Sequence, residues 1–281
     1  MEKKRYLLKM YYIGTEKFYG SQRQKNLLTI EDCLIATLKE KNYIKNFEDS
    51  GFEMASRTDR FVSARGAVFS FVTKKKPILI EINSALPEEI GIWACAKVPL
   101  DFLSRFNAIY RFYKYIFPEP LSSLKKKFKI DLEIMKKACN ELEGRHDFVN
   151  FSKRQKEINK TIKDMDSVKM NVINDYLMFD FKSRSFLRQQ IRRMIKKILE
   201  LGTGEIDYRD FLKLFDGSNY ISYPSVDPSG LILWDIKYES KIKFKIEMKS
   251  KERMERYFLN QKLKFAFKNQ LFKILQQNDS S

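Results

Sequence analysis

The chain is poor in residues that staple, ligate or turn: its 281 residues include three cysteines, one histidine, seven prolines and ten glycines. Cys33, Cys95 and Cys139 are scattered, odd in number and without a Cys-x-x-Cys pair, so neither a disulfide framework nor a zinc site is suggested. His146 has no second imidazole to join it in a metal site, and a Ser-His-Asp triad would depend on it alone. Within "EGRHDFVNFS" it reads as structural. Nowhere does an apolar run approach the roughly eighteen residues of a membrane span, and "MEKKRYLLKMYYIG" lacks the apolar stretch of an export signal. These absences predict a soluble protein of a reducing, cytoplasmic compartment, with no metal and no membrane partner. Acidic residues are also in short supply, 36 Asp and Glu against 54 Lys and Arg, for a formal net charge of +18. Such an excess exceeds what solubility needs and points to a polyanionic partner, nucleic acid before membrane.

Apolar patterning is plentiful. Tyr6 to Ile13 reads as a strand, and Thr29 as the N-cap of a helix carrying Ile30, Cys33, Leu34, Ala36 and Leu38 on one face. Strands over Phe52 to Ala55 and Ala67 to Val72 flank a polar loop, and Trp93 to Val98 is a further strand. In Arg105 to Phe117, alternation places Arg111, Tyr113, Tyr115 and Phe117 on one face, and Pro118 and Pro120 are expected to end the strand. A helix over Asp131 to Leu142 is expected next. Strands near Thr161 to Ile173 and Tyr176 to Phe181 then meet at an Asn174-Asp175 turn. A helix from Phe186 to Leu201 buries Leu187, Ile191, Met194, Ile195 and Ile198, which at 100° per residue puts Arg188 and Arg192 on the border of its apolar stripe. "GLILWDIKY" is a last strand. The order describes two α+β halves, 1–104 and 105–240, hinged near Pro99 to Ser104, followed by a basic, helical extension over 241–281.

Within "SRTDRF", one carboxylate, Asp59, lies between Arg57 and Arg60. An Asp in a loop commonly caps backbone amides. An ionised carboxylate near a guanidinium also suits a nucleophile, or a stabiliser of positive charge, better than a general acid. Tyr113 is either a packed sheet aromatic or, with Arg111 on the same face, part of a surface offering a hydroxyl, a cation and stacking area to a displaced base. Arg192 is either a solvated helix charge or a group reaching into a cleft.

Several motifs together make the chain similar to the TruA-type tRNA pseudouridine synthases over nearly its whole length up to the basic tail. "YYIGTEKFYGSQRQ" resembles the family's Tyr-Asp-Gly-Thr-x-Phe-x-Gly-Trp-Gln opening, and "SRTDRFVSARGAVFSF" its Gly-Arg-Thr-Asp-x-Gly-Val loop. "RFNAIYRFYKYIF" resembles its Arg-x-Tyr-x-Tyr strand, and "FLRQQIRRMIKKILELGTGEI" its Phe-Leu…Met-Val-Arg helix. The resemblance implies an α+β, two-lobed fold with a central, mostly antiparallel sheet flanked by helices and an active-site cleft between the lobes, in a homodimer sharing tRNA. It implies Asp59 as the catalytic aspartate with Arg57 beside it, Tyr113 as the active-site tyrosine, Arg192 as the partner of Asp59, and Leu231 as an apolar contact near the base. Arg57 and Arg60 are then free for RNA, with Arg111 and Arg188 as further substrate contacts. The implied reaction is isomerisation of uridine in tRNA, usually in the anticodon stem-loop, without a cofactor. The chain departs from the pattern at Ile13, at Ser21 in place of Trp, and at Phe61 in place of Gly. If that glycine has a left-handed backbone, Phe61 is strained or the loop is reshaped. A catalytically silent RNA-binding protein and a nucleic-acid glycosylase are the alternatives, separable because only isomerisation conserves mass and yields a C-glycoside.

Overall fold

The computed structural model of the chain describes residues 2–154 and 161–277. Tyrosines and other large apolar residues open it as β1 (Lys4–Tyr12). Helix α1 (Ile30–Glu40) starts from a capping box: the Thr29 hydroxyl accepts from the Asp32 amide, and the Asp32 carboxylate accepts from the Thr29 amide. The first half continues with β2 (Glu53–Met54), β3 (Ser63–Thr73), α2 (Leu79–Asn83) and β4 (Ile90–Val98). Then come β5 (Tyr110–Pro120), α3 (Leu121–Lys127), α4 (Leu132–Glu141), β6 (Gly144–Asp147), β7 (Ile162–Ile173) and β8 (Tyr176–Ser183). Helices α5 (Gln190–Gly202) and α6 (Tyr208–Lys213) precede β9 (Leu231–Lys237), and β10 (Lys245–Ile246) leads into α7 (Met248–Leu275).

The strands form one ten-stranded sheet in the order β10, β4, β1, β3, β9, β5, β8, β7, β6, with β2 beside β3. Every pairing is antiparallel except β3 with β9, which run parallel where Ser63 meets Ile232 and Ala64 meets Leu233. That short parallel seam joins a strand of the first half to one of the second. The fold is therefore α+β with a continuous, mostly antiparallel sheet, and the loop leading into β3 lies at its seam. Asn174 and Asp175 both adopt positive φ, as the two-residue turn between β7 and β8 requires.

Two expectations are corrected. Strand β5 starts at Tyr110 and runs on through Pro118 and Pro120, because its ladder with β8 becomes irregular after Ile116 and no longer needs the missing N–H groups. Helix α5 begins at Gln190: Gln189 takes φ +58°, so the helix cannot extend back to Phe186. Arg188 consequently lies on the turn before the helix, not on its apolar border. Of the C-terminal extension, the first turns of α7 pack on the first half, where Ser250 and Met254 are buried and the Tyr257 and Phe258 rings meet Tyr11. From Lys262 to Gln277 its side chains are exposed. Among the described residues, no helix is long and apolar enough to cross a membrane.

Candidate active site between the two halves

Asp59 sits in the irregular segment between β2 and β3, and neighbouring elements shape that segment closely. A Cβ on Gly14 would lie 2.2 Å from the Phe61 carbonyl carbon, and one on Gly20, itself at φ +87°, would lie 2.9 Å from the Thr58 oxygen. Only glycine permits so close a backbone approach at these two positions. Thr58 is then held from three directions. Its amide donates to Ser21 Oγ at 2.7 Å, its carbonyl accepts from the Ser21 amide at 3.1 Å, and its hydroxyl lies 2.8 Å from the Tyr12 hydroxyl. Phe61 does adopt the left-handed backbone, at φ +67°. The turn that a glycine would make freely is thus kept with an aromatic residue in it.

The second half supplies the facing groups. Arg192, in the first turn of α5, donates from Nη1 to Asp59 Oδ2 at 3.1 Å and from Nε to the Val226 carbonyl at 2.8 Å. Its side chain is 10% exposed against 39% for Asp59, so the arginine is fixed and the carboxylate stays open to an incoming molecule. Tyr113 lies on β5, buried, with its ring edge-on to Phe186 at 5.2 Å between centroids. Burial pushes its phenol up, while the charge of Arg111 and the Ser56 hydroxyl pull it back and the negative charge of Asp59 adds to the rise. The phenol is therefore protonated at neutral pH.

The other sequence-derived candidates divide. Arg57 is exposed beside Asp59. Arg60 is half-buried and donates from Nη2 to the Glu16 carbonyl at 3.2 Å. Arg111 is buried and spends its guanidinium on protein: Nε on Ser56 Oγ at 2.6 Å, Nη2 on the Ala55 and Arg105 carbonyls at 2.7 and 2.9 Å, and Nη1 on the Arg184 carbonyl. It ties the Asp59 loop to the second half and has little donor capacity left for a substrate. Arg188 is exposed, away from the Asp59–Arg192 pair in hydrogen bonding, while its carbonyl accepts from the Lys153 amide. Leu231 opens β9, buried and opposite Tyr115. His146 lies on β6 against the Phe215 ring, with Nε2 2.7 Å from the Glu143 carbonyl, as a packing residue does.

Sequence reasoning missed Tyr12, Ser21, Ser56 and Thr58, whose hydroxyls brace the loop. A signal existed for one of them: Ser21 stands where the related pattern has a bulky Trp, and a small hydroxyl there fits against the Thr58 backbone.

Comparison with known proteins extends the likeness beyond this site. Residues 138–239 match the family model described as tRNA pseudouridine synthase. The tRNA pseudouridine synthase A of Methanosphaera stadtmanae is 37% identical over 246 residues, which is 86% of this chain and 86% of that one. Its counterpart from Thermococcus sibiricus is 36% identical over 272 residues, 94% and 96% of the two chains, and that from Pyrococcus furiosus 33% over 258, 90% of each. Similarity of this extent takes in both Asp59 and Arg192, and by it the chain belongs to the tRNA pseudouridine synthase A family.

Proposed function

We propose that the protein isomerises uridine to pseudouridine in the anticodon stem-loop of tRNA, with Asp59 as nucleophile and Tyr113 as proton carrier. The observation that supports it most is the Asp59–Arg192 pair at 3.1 Å, contributed by opposite halves, with the carboxylate exposed and a buried phenol close enough to feel its charge. A nucleophile must be held and reachable, and this one is both. The target uridine has to leave the helical stack first, a cost of about a few kcal/mol that the exposed Arg57 and the cationic surface offset.

In this reading Asp59 attacks C1′ of the flipped uridine as the C1′–N1 bond breaks. Tyr113 gives its phenolic proton to the departing base. The base turns, C5 bonds to C1′ as the bond to Asp59 breaks, and the C5 proton returns to the phenolate. N1 gains the proton that C5 loses, so mass is conserved and both side chains are regenerated. Arg192 aims the carboxylate and stabilises its anion on release; Leu231 offers apolar surface to the base. Homodimer formation rests on the likeness to the family.

The test is to incubate unmodified tRNA with the protein and map its nucleosides. Pseudouridine at constant mass in the anticodon stem-loop is expected, and Asp59→Ala is expected to lose at least about 10⁴-fold in turnover with tRNA affinity kept. Free uracil would instead mark a glycosylase, and unchanged tRNA a binding protein.

A further inference from the structure

Phe61 occupies a backbone conformation that bulky residues avoid. The other non-glycine residues at positive φ are Asn26, Asn42, Asn174, Asp175 and Gln189, all with polar side chains; Phe61 is the aromatic exception among the described residues. It adjoins the loop's functional carboxylate, where strain persists only if something is gained. What the ring touches is Arg60. The Arg60 Cζ lies 4.6 Å from the Phe61 centroid and 4.1 Å from the Tyr19 centroid, and Nη2 is pinned to the Glu16 carbonyl at 3.2 Å. Arg60 Nε is buried without a hydrogen-bond partner among the described residues, and the rings enclose the inner part of the guanidinium.

We infer that Phe61 and Tyr19 clamp Arg60 in a fixed position beside Asp59, as a preformed site for a backbone phosphate next to the isomerised uridine. The two rings take up the surface on which a base would otherwise stack, so the guanidinium has its outer edge left, with both Nη1 protons and one on Nη2. Edge donors in that fork match the oxygens of a phosphate. An arginine on a free loop would have to be ordered on binding; here it is ordered beforehand, which favours affinity. Phe61 is on this account a positioning residue, and its ring is what a glycine at the same turn could not supply. The inference rests on tRNA being the substrate.

A double-mutant cycle tests it. Binding of unmodified tRNA is measured in the Asp59→Ala background, so that no chemistry intervenes, for Phe61→Gly, Phe61→Asn, Arg60→Gln and the Phe61→Gly/Arg60→Gln pair. Glycine and asparagine both accept the left-handed turn, so either variant keeps the backbone while removing the ring. Each is expected to weaken binding about tenfold. Arg60→Gln is expected to weaken it at least as much and to reduce the slope of log affinity against log salt by about 0.7 to 0.9, one phosphate's share. With Arg60 already replaced, Phe61→Gly should add no more than about twofold. In the enzyme with Asp59 intact, Phe61→Gly should leave kcat unchanged and raise KM. Unchanged binding in both Phe61 variants, or a full tenfold loss persisting without Arg60, would overturn the clamp. Failure of the enzyme with Asp59 intact to form pseudouridine would instead overturn the proposed reaction, while the binding cycle still decides the clamp.

Discussion

Asp59 is carried by a segment with no regular hydrogen-bond ladder, whereas Tyr113 and Arg192 sit on β5 and α5 among buried side chains. The loop is positioned by groups sent to it from elsewhere: Ser21 and Tyr12 from one side, Arg111 from the other. The scaffold residues are positioned by the core itself. One arrangement allows a carboxylate to stay open near the seam of the sheet, since nothing needs to pack over it. The other keeps a phenol dry and a guanidinium fixed. Perturbing the loop should therefore change chemistry more than stability, and perturbing the scaffold should change both.

Tyr113→Phe should have the largest effect of the scaffold changes on turnover. It keeps the ring against Phe186 and removes the hydroxyl proposed to carry the proton, so kcat should fall by about 10² to 10⁴ with tRNA affinity nearly intact. Single-turnover kinetics would check this, and near-normal turnover would reduce Tyr113 to packing. Arg111→Met attacks the join between loop and scaffold. It strands the Ser56 hydroxyl and three carbonyls, and stability should fall by about 3 kcal/mol in urea melts, with a loss of turnover. A loss of turnover without destabilisation would show that Arg111 meets substrate. Alkali probes the buried phenols. Burial raises the phenols of Tyr12, Tyr115 and Tyr238 above their ordinary 10.0, so the unfolded chain ionises first. Their contribution is whole below that pH and is lost as pH climbs through the folded-state values, so urea midpoints should start to fall above about pH 10. Flat midpoints to pH 11 would contradict it.

The same contrast explains what the sequence made legible. The face shared by Arg111, Tyr113 and Tyr115 was readable because a strand alternates, and the buried stripe of α5 because a helix repeats. The start of α5 was not: Phe186 is apolar and reaches the same core, against Tyr113, from a turn, and periodicity cannot separate a turn residue that packs inward from a helical one. Parity likewise placed Arg111 beside Tyr113 but could not show that carbonyls from residues far along the chain would take up its donors. For Asp59 the neighbouring arginines were visible, while its partner lies 133 residues away and could be named only through the family pattern. Ser21 read merely as a departure, since its meaning is one hydrogen bond across space.

Ser21→Ala is the smallest change and the sharpest test of how far the loop depends on its braces. Ser21 is fully buried, and its hydroxyl accepts from the Thr58 amide at 2.7 Å. Alanine keeps the reverse bond, from the residue 21 amide to the Thr58 carbonyl at 3.1 Å, and leaves in place the glycine contacts and the contact between the Tyr12 and Thr58 hydroxyls. One amide loses its partner in a partly buried place, so stability should fall by about 1 kcal/mol, equivalent to about 2–4 °C in Tm for a chain of this size. The remaining contacts still fix Thr58, and with it the direction in which Asp59 leaves the loop. Turnover should fall less than about tenfold with KM unchanged. A much larger loss of kcat at the same small loss of Tm would mean that a single hydroxyl aims the nucleophile, and that the loop is a set of separately adjustable supports rather than a unit locked by close backbone packing.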